Sequence, residues 1–209
     1  ELNITNPELI ESIHAKYAAA GSRIVNANTF GASAHKLAGS AYTLEQVITA
    51  GIENCKRACA PYGALTALDV GPLGELLEPS GTLAFEDAVA EYARIVKAGE
   101  AAGADLIFFE TYTDLYELKA ALLAAKENTH LPILASMSFE AGGRTFTGCT
   151  VESFAATARG LGADAVGINC SLGPKEIFPM AKRLAEAVPG NFPVFVKPNA
   201  GLPRADGSG

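Results

Sequence analysis

Six short apolar runs, each closing on a polar residue, restrict most strongly what this chain can fold into. They span Arg23 to Asn28, Ala64 to Asp69, Asp105 to Glu110, Ile133 to Ser138, Ala165 to Asn169 and Val194 to Lys197. Ala-rich amphipathic stretches separate them, and the unit recurs every ~30 to 40 residues. Helical periodicity covers Leu44 to Ala60, Phe85 to Ala102, Leu115 to Glu127, Val151 to Gly160 and Lys175 to Ala187. Gly103, Gly162 and Gly190 follow three of these stretches, where a left-handed residue commonly closes a helix. Runs that are apolar throughout fit parallel strands covered on both faces, so the alternation predicts a parallel α/β fold. No G-x-G-x-x-G follows the first strand and no P-loop lysine motif occurs, which disfavours a nucleotide-binding open sheet. In a barrel the polar strand ends would all meet at one face, the face that carries barrel active sites.

A complete (β/α)8 TIM barrel has eight strands and ~250 residues. This chain has 209 residues and six such runs. It starts in a helix, with Asn6 as N-cap, Pro7 as first helical residue and Leu9, Ile13 and Tyr17 as the expected apolar face. Arg204 to Gly209 reads as loop, and the interior has no linker. The expectation is one domain over residues 1–209, an incomplete TIM barrel truncated at both ends and lacking its first and last strands.

Charge excludes one class of partner: a net charge of -7 without a Lys/Arg cluster argues against nucleic acid. No apolar run approaches the ~20 residues that span a bilayer, and a signal-peptide pattern is absent. Cys55, Cys59, Cys149 and Cys170 are too scattered to read as a disulfide framework, so reduced thiols and a cytoplasmic setting are expected.

Cys170 is the residue with most chemical promise. It ends an uncharged run and opens the loop Ser171-Leu172-Gly173-Pro174, where a metal or substrate can reach a thiol. Thiolate is a preferred zinc ligand, but a catalytic zinc takes three protein ligands, and one cysteine is not a site.

Several segments in order carry a family resemblance. They are Ala27-Asn28-Thr29-Phe30-Gly31-Ala32, Asp69-Val70-Gly71-Pro72, Phe109-Glu110-Thr111 with Asp114 and Glu117, Gly167-Ile168-Asn169-Cys170-Ser171-Leu172-Gly173, and Pro198-Asn199-Ala200-Gly201-Leu202-Pro203. In this order the chain resembles the zinc-dependent homocysteine S-methyltransferase family, and within it the homocysteine-binding barrel of the cobalamin-dependent methionine synthase type. The resemblance implies methyl transfer to the sulfur of homocysteine, with zinc held by three cysteine thiolates. One of these corresponds to Cys170; the other two would lie in a Gly-Gly-Cys-Cys segment that this sequence does not contain. The fragment is therefore expected to bind zinc poorly and not to turn over. Cobalamin, and a folate methyl donor, would come through other modules of the parent protein. Glu110 is implied as the group that binds the amino group of homocysteine, a capping or salt-bridging role being its alternative.

Asn28 and Thr29 stand at the mouth of the first strand, where they either contact the amino acid or cap the turn. Asn169 sits beside the implied ligand, as a substrate contact or an orienting group. Asp69 is expected to order its loop, and Asp114 to favour a helix start. Cys55 and Cys59 read as a packing stripe, and Cys149 as a thiol that could approach the site without a partner. His14, His35 and His130 are expected to be exposed. Two other readings compete: a Schiff-base aldolase using Lys197, and a barrel fragment without catalysis.

Overall fold

The structure is a computed structural model that describes residues 1–201. Leu202, Pro203 and the Arg204 to Gly209 stretch lie outside the described residues. The chain runs α1 (Leu2–Thr5), α2 (Pro7–Ala19), β1 (Ile24–Asn26), α3 (Leu44–Cys59), a 3-10 turn (Ala60–Tyr62), β2 (Leu65–Val70), α4 (Phe85–Ala101), β3 (Leu106–Tyr112), α5 (Leu115–Asn128), β4 (Ile133–Met137), α6 (Val151–Gly160), β5 (Ala165–Asn169), α7 (Pro174–Glu186) and β6 (Val194–Lys197). The strands form one parallel sheet in sequence order, and a helix follows each of the first five. The sheet curls: the Phe108 ring on β3 lies 5.2 Å from that of Phe195 on β6, although β4 and β5 stand between them. The result is a six-stranded half-barrel with β1 and β6 as its edges; closure by two further strands is not seen among the described residues.

Strand alternation sorts the side chains onto two faces. Outward residues such as Val25, Leu68, Ile107, Phe109, Ala135, Val166 and Ile168 join the helices in the main apolar core. Inward residues Ala67, Leu106 and Phe108, with Leu134 and Phe195, form a smaller separate cluster. Gly167 on β5 is inward too, and a Cβ there would stand 2.3 Å from the Phe195 ring, so its lack of a side chain makes room for that ring. On the outer face, fully buried Ile48 and Ile52 of α3 illustrate the driving force, each contributing about 1.5–3 kcal/mol.

Local signals explain the helix ends. Asn6 Oδ1 accepts from Leu9 N–H at 3.3 Å ahead of Pro7, and Thr43 and Gln46 form a capping box on α3. Gly103 and Gly162 have φ of 85° and 89° and close α4 and α6. Gly190 is different: α7 has already ended at Glu186, with Ala187 as its cap.

Two expectations for α2 are corrected. Leu9, Ile13 and Tyr17 are 44%, 40% and 62% exposed, whereas Ile10, His14 and Ala18 are buried. Both rows have helical spacing, and α2 turns the second toward α3 and β1. His14 is consequently not exposed; it is 6% accessible, and burial lowers its pKa. His35 and His130 are exposed as expected.

Candidate active site

Two clusters occupy the carboxyl ends of the strands. The first joins β3, β4 and β5 around Asn169, which is 1% exposed. Its Oδ1 accepts from Thr111 N–H at 3.0 Å and from Ser136 Oγ at 2.9 Å. Its Nδ2 donates to Thr111 Oγ1 at 2.7 Å and to Cys170 Sγ at 3.3 Å. Thr111 Oγ1 itself lies 3.8 Å from Cys170 Sγ, and Cys170 N–H donates to Lys197 O at 3.1 Å. The Asn169 amide thus spends both hydrogens and both lone pairs on its neighbours, and it positions them.

The backbone here is unusual. Thr111, Cys170 and Ser171 have φ of 68°, 59° and 58°, a region that costs a non-glycine residue about 1–2 kcal/mol. The β3–β4 register shifts between Phe109 and Tyr112, which brackets Thr111. Such strain persists where surrounding bonds over-determine it, and it concentrates at functional sites.

The second cluster is charged. Asp69, Glu110 and Lys197 occupy inward positions of β2, β3 and β6 and line one cavity of about 520 Å³ with Asn26 and Asn28 of the β1 end. Lys197 Nζ lies 2.6 Å from Glu110 Oε2 and 4.6 Å from the centroid of the Phe108 ring. Asp69 is 7% exposed, and its Oδ1 has no hydrogen-bond partner among the described residues. Burial raises its pKa well above the usual carboxylate range; the Glu110 charge adds to the rise, while Lys197 and the Asn26 amide oppose it.

The β1 residues divide. Buried Thr29 donates Oγ1–H to Asp69 O at 2.8 Å and accepts from Asp69 N–H at 3.1 Å, which ties the first two strand ends together. Exposed Asn28 lines the cavity, and its Nδ2 donates to Asn3 Oδ1 at 2.9 Å. Behind the site, Glu117 accepts from Leu73 N–H at 2.7 Å and Tyr92 OH at 2.9 Å, and burial raises its pKa. Tyr112 OH donates to Gly71 O at 3.3 Å, so the Val70-Gly71-Pro72 segment is held from below. Asp114 caps α5 through Tyr116 N–H, as expected.

All four cysteines are free. Cys55 and Cys59 pack inside α3 with sulfurs 3.8 Å apart, and burial pushes the Cys55 thiol up to about 12. Cys149 donates to Thr150 O at 3.2 Å, and burial pushes its thiol up to about 11. Among the described residues, no group of three His, Cys, Asp or Glu could hold a metal ion. Cys170 therefore offers one ligand position, and the residues present do not fit a complete zinc site.

Comparison with known proteins bears on this arrangement. The family model for homocysteine S-methyltransferase matches residues 1–209. The chain belongs to the homocysteine S-methyltransferase family. Curated relatives include the methionine synthases of Mycobacterium tuberculosis and Mycobacterium leprae, each 31% identical over 97% of this chain. The chain spans 18% of the length of each. Among solved structures, the metallated homocysteine methyltransferase MmuM of Escherichia coli superposes with a TM-score of 0.85 at 23% identity, covering 96% of this chain and 75% of that one. A DHDPS from Cyanidioschyzon merolae gives a TM-score of 0.56 at 16% identity, over 91% of this chain and 57% of that one. At such identities the likeness shows the fold alone.

Within this chain of the homocysteine S-methyltransferase family, Asn169 holds Cys170 in the first cluster, Glu110 stands in the second, and Thr29 serves the Asp69 main chain. Two participants escaped the sequence reading. Asp69 is inward, which its parity with Ala67 could have indicated. Thr111 had no such signal, because its role comes from a backbone conformation that residue type does not announce. Lys197 is 48% exposed and ion-paired with Glu110, unlike the desolvated amine that a Schiff-base mechanism calls for.

Proposed function

We propose that this chain is the homocysteine-binding part of a methyltransferase that converts homocysteine to methionine. The observation that carries the reading is adjacency. Glu110, facing the charged cavity, and Thr111, beside the Cys170 sulfur, are consecutive residues of β3. One small molecule bearing both an ammonium and a thiol can therefore address both clusters at once. Glu110 and Asp69 supply carboxylates for the ammonium, and a charge-assisted bond in a sheltered cavity is stronger than a neutral one. Asn169 and Thr111 hold Cys170 and the turn around it at one position, so that the substrate sulfur is presented in a fixed direction.

In the transfer, a lone pair on the homocysteine sulfur attacks the methyl carbon. The S–C bond forms as the bond between methyl and donor breaks, with the electron pair leaving on the donor; the thiol proton passes to solvent water before attack. A zinc ion completed by ligands from outside the described residues would favour loss of that proton at neutral pH. Cys170 is proposed as the one thiolate that this segment contributes to such a centre. A cobalamin or folate methyl donor belongs to other modules of a longer parent, in keeping with the 18% share of the curated relatives that the chain spans. A cytoplasmic setting is part of the same proposal; among the described residues no helix is long and apolar enough to cross a membrane.

Calorimetric titration with L-homocysteine tests the reading. Binding that weakens at least tenfold in Glu110→Gln is expected, with L-homoserine binding less well than the thiol. Equal affinity of wild type and Glu110→Gln would overturn it.

A further inference from the structure

The cavity at the strand ends already contains an ammonium. Lys197 Nζ sits between the Glu110 carboxylate, at 2.6 Å, and the face of Phe108, at 4.6 Å from the centroid. An ion pair and an aromatic face are the two attractions that this pocket offers to any primary ammonium. Among the described residues these two contacts are all that hold the lysine side chain there. It is the last residue of edge strand β6, its side chain is 48% exposed, and its flexible stem can carry the charge into solvent. Across the cavity, Asp69 Oδ1 is buried and without a hydrogen-bond partner among the described residues. The lining carries the Asp69 and Glu110 carboxyl groups, one lysine ammonium and His14, and the unpartnered Asp69 oxygen offers an incoming ammonium an acceptor.

The geometry points to Lys197 as a resident stand-in for the substrate's ammonium, which an amino-acid ligand displaces from Glu110. The inference rests on the homocysteine reading and deepens it. A ligand with an ammonium takes over both attractions that the lysine gives up, and Lys197 moves out toward water. A ligand without an ammonium has nothing to exchange for the ion pair. Lys197 therefore weakens binding of the amino-acid ligand slightly and leaves the binding of thiol acids that lack the amine unchanged.

Calorimetry with two probes tests this: L-homocysteine and its des-amino analogue 4-mercaptobutanoic acid. Lys197→Met is expected to bind L-homocysteine roughly two- to fivefold more tightly than wild type, the span set by a partly exposed ion pair. Lys197→Gln serves as a second variant, and the gain should vanish in a Glu110→Gln background. The analogue should show no gain in Lys197→Met. Reductive methylation with formaldehyde and dimethylamine-borane, read by mass spectrometry, should label Lys197 faster when L-homocysteine is saturating. Unchanged or weaker L-homocysteine binding in both lysine variants would overturn the displacement role and leave the homocysteine reading standing. No L-homocysteine binding by wild type or any variant would overturn both.

Discussion

Around Asn169 each of four bonds has a taker, and two left-handed residues, Thr111 and Cys170, are held in place by them. At Asp69, across the same rim, a buried carboxylate oxygen has no partner among the described residues, and the lysine of the nearby ion pair is half open to water. The first region is over-determined and the second is under-determined. That contrast matches two different tasks. A sulfur-handling corner must not move, because orientation is what it contributes; a charged pocket must exchange partners, because its ligand arrives and leaves. Rigidity is built from neutral, short-range hydrogen bonds, and readiness from charges that the protein itself satisfies only in part.

The contrast is broken most severely by Asn169→Ala. This substitution leaves the Thr111 N–H without its acceptor and frees the backbone strain it restrained. A loss of about 2–4 kcal/mol is expected, since a stranded buried polar group alone costs roughly 1–3 kcal/mol. Urea unfolding monitored by circular dichroism measures it, and a loss under 1 kcal/mol would mean that the corner is not over-determined. Gly167→Ala acts on the same strand by overpacking, because the new methyl meets the Phe195 ring. The expected cost is about 1–3 kcal/mol, and Phe195→Leu in the same chain should recover part of it.

Asp69→Asn sharpens the other side with the opposite sign. The folded-state pKa of Asp69 is raised, by burial first and by Glu110 second. Between the unfolded and folded pKa values the native chain therefore binds more protons than the unfolded chain. Stability then falls as pH rises through that window, and the penalty is absent below the unfolded pKa. Glu117 is shifted the same way, so the Asp69 share is the difference between wild type and variant. Asp69→Asn should flatten the pH profile above the ordinary carboxylate range and raise neutral-pH stability by on the order of 1 kcal/mol. It should also weaken L-homocysteine binding. A profile parallel to wild type would show that Asp69 is not strained by its burial.

Much of the half-barrel could be read from residue types because its signals are local. The β5 and β6 runs match their strands, since each apolar run is bounded by a glycine, a proline or a polar residue. The inward row at the mouth, Asp69, Glu110, Asn169 and Lys197, follows from the period of two once the strands are in place. What could not be read is what depends on distance in space. Choosing between the Leu9 and Ile10 rows of α2 requires knowing where α3 and β1 stand. The Glu110–Lys197 pair joins residues 87 apart in sequence, and the curl of the sheet alone brings them within reach. Thr111 carries a β-branched side chain into a left-handed turn against its propensity, and only the Asn169 bonds explain why.

The smallest expected effect belongs to the ion pair itself. Lys197→Met removes a charge from an exposed edge, so folding stability should change by less than about 1 kcal/mol, the usual worth of such a pair. The retained aliphatic stem still covers Phe108, which limits any packing loss. Added salt should narrow the difference between the two proteins, because screening reaches a half-exposed pair. Thermal unfolding at low and high ionic strength measures both. A loss of 2 kcal/mol or more would place Lys197 with Asn169 among the fixed parts of the mouth, and a lysine so held could not give way to a substrate.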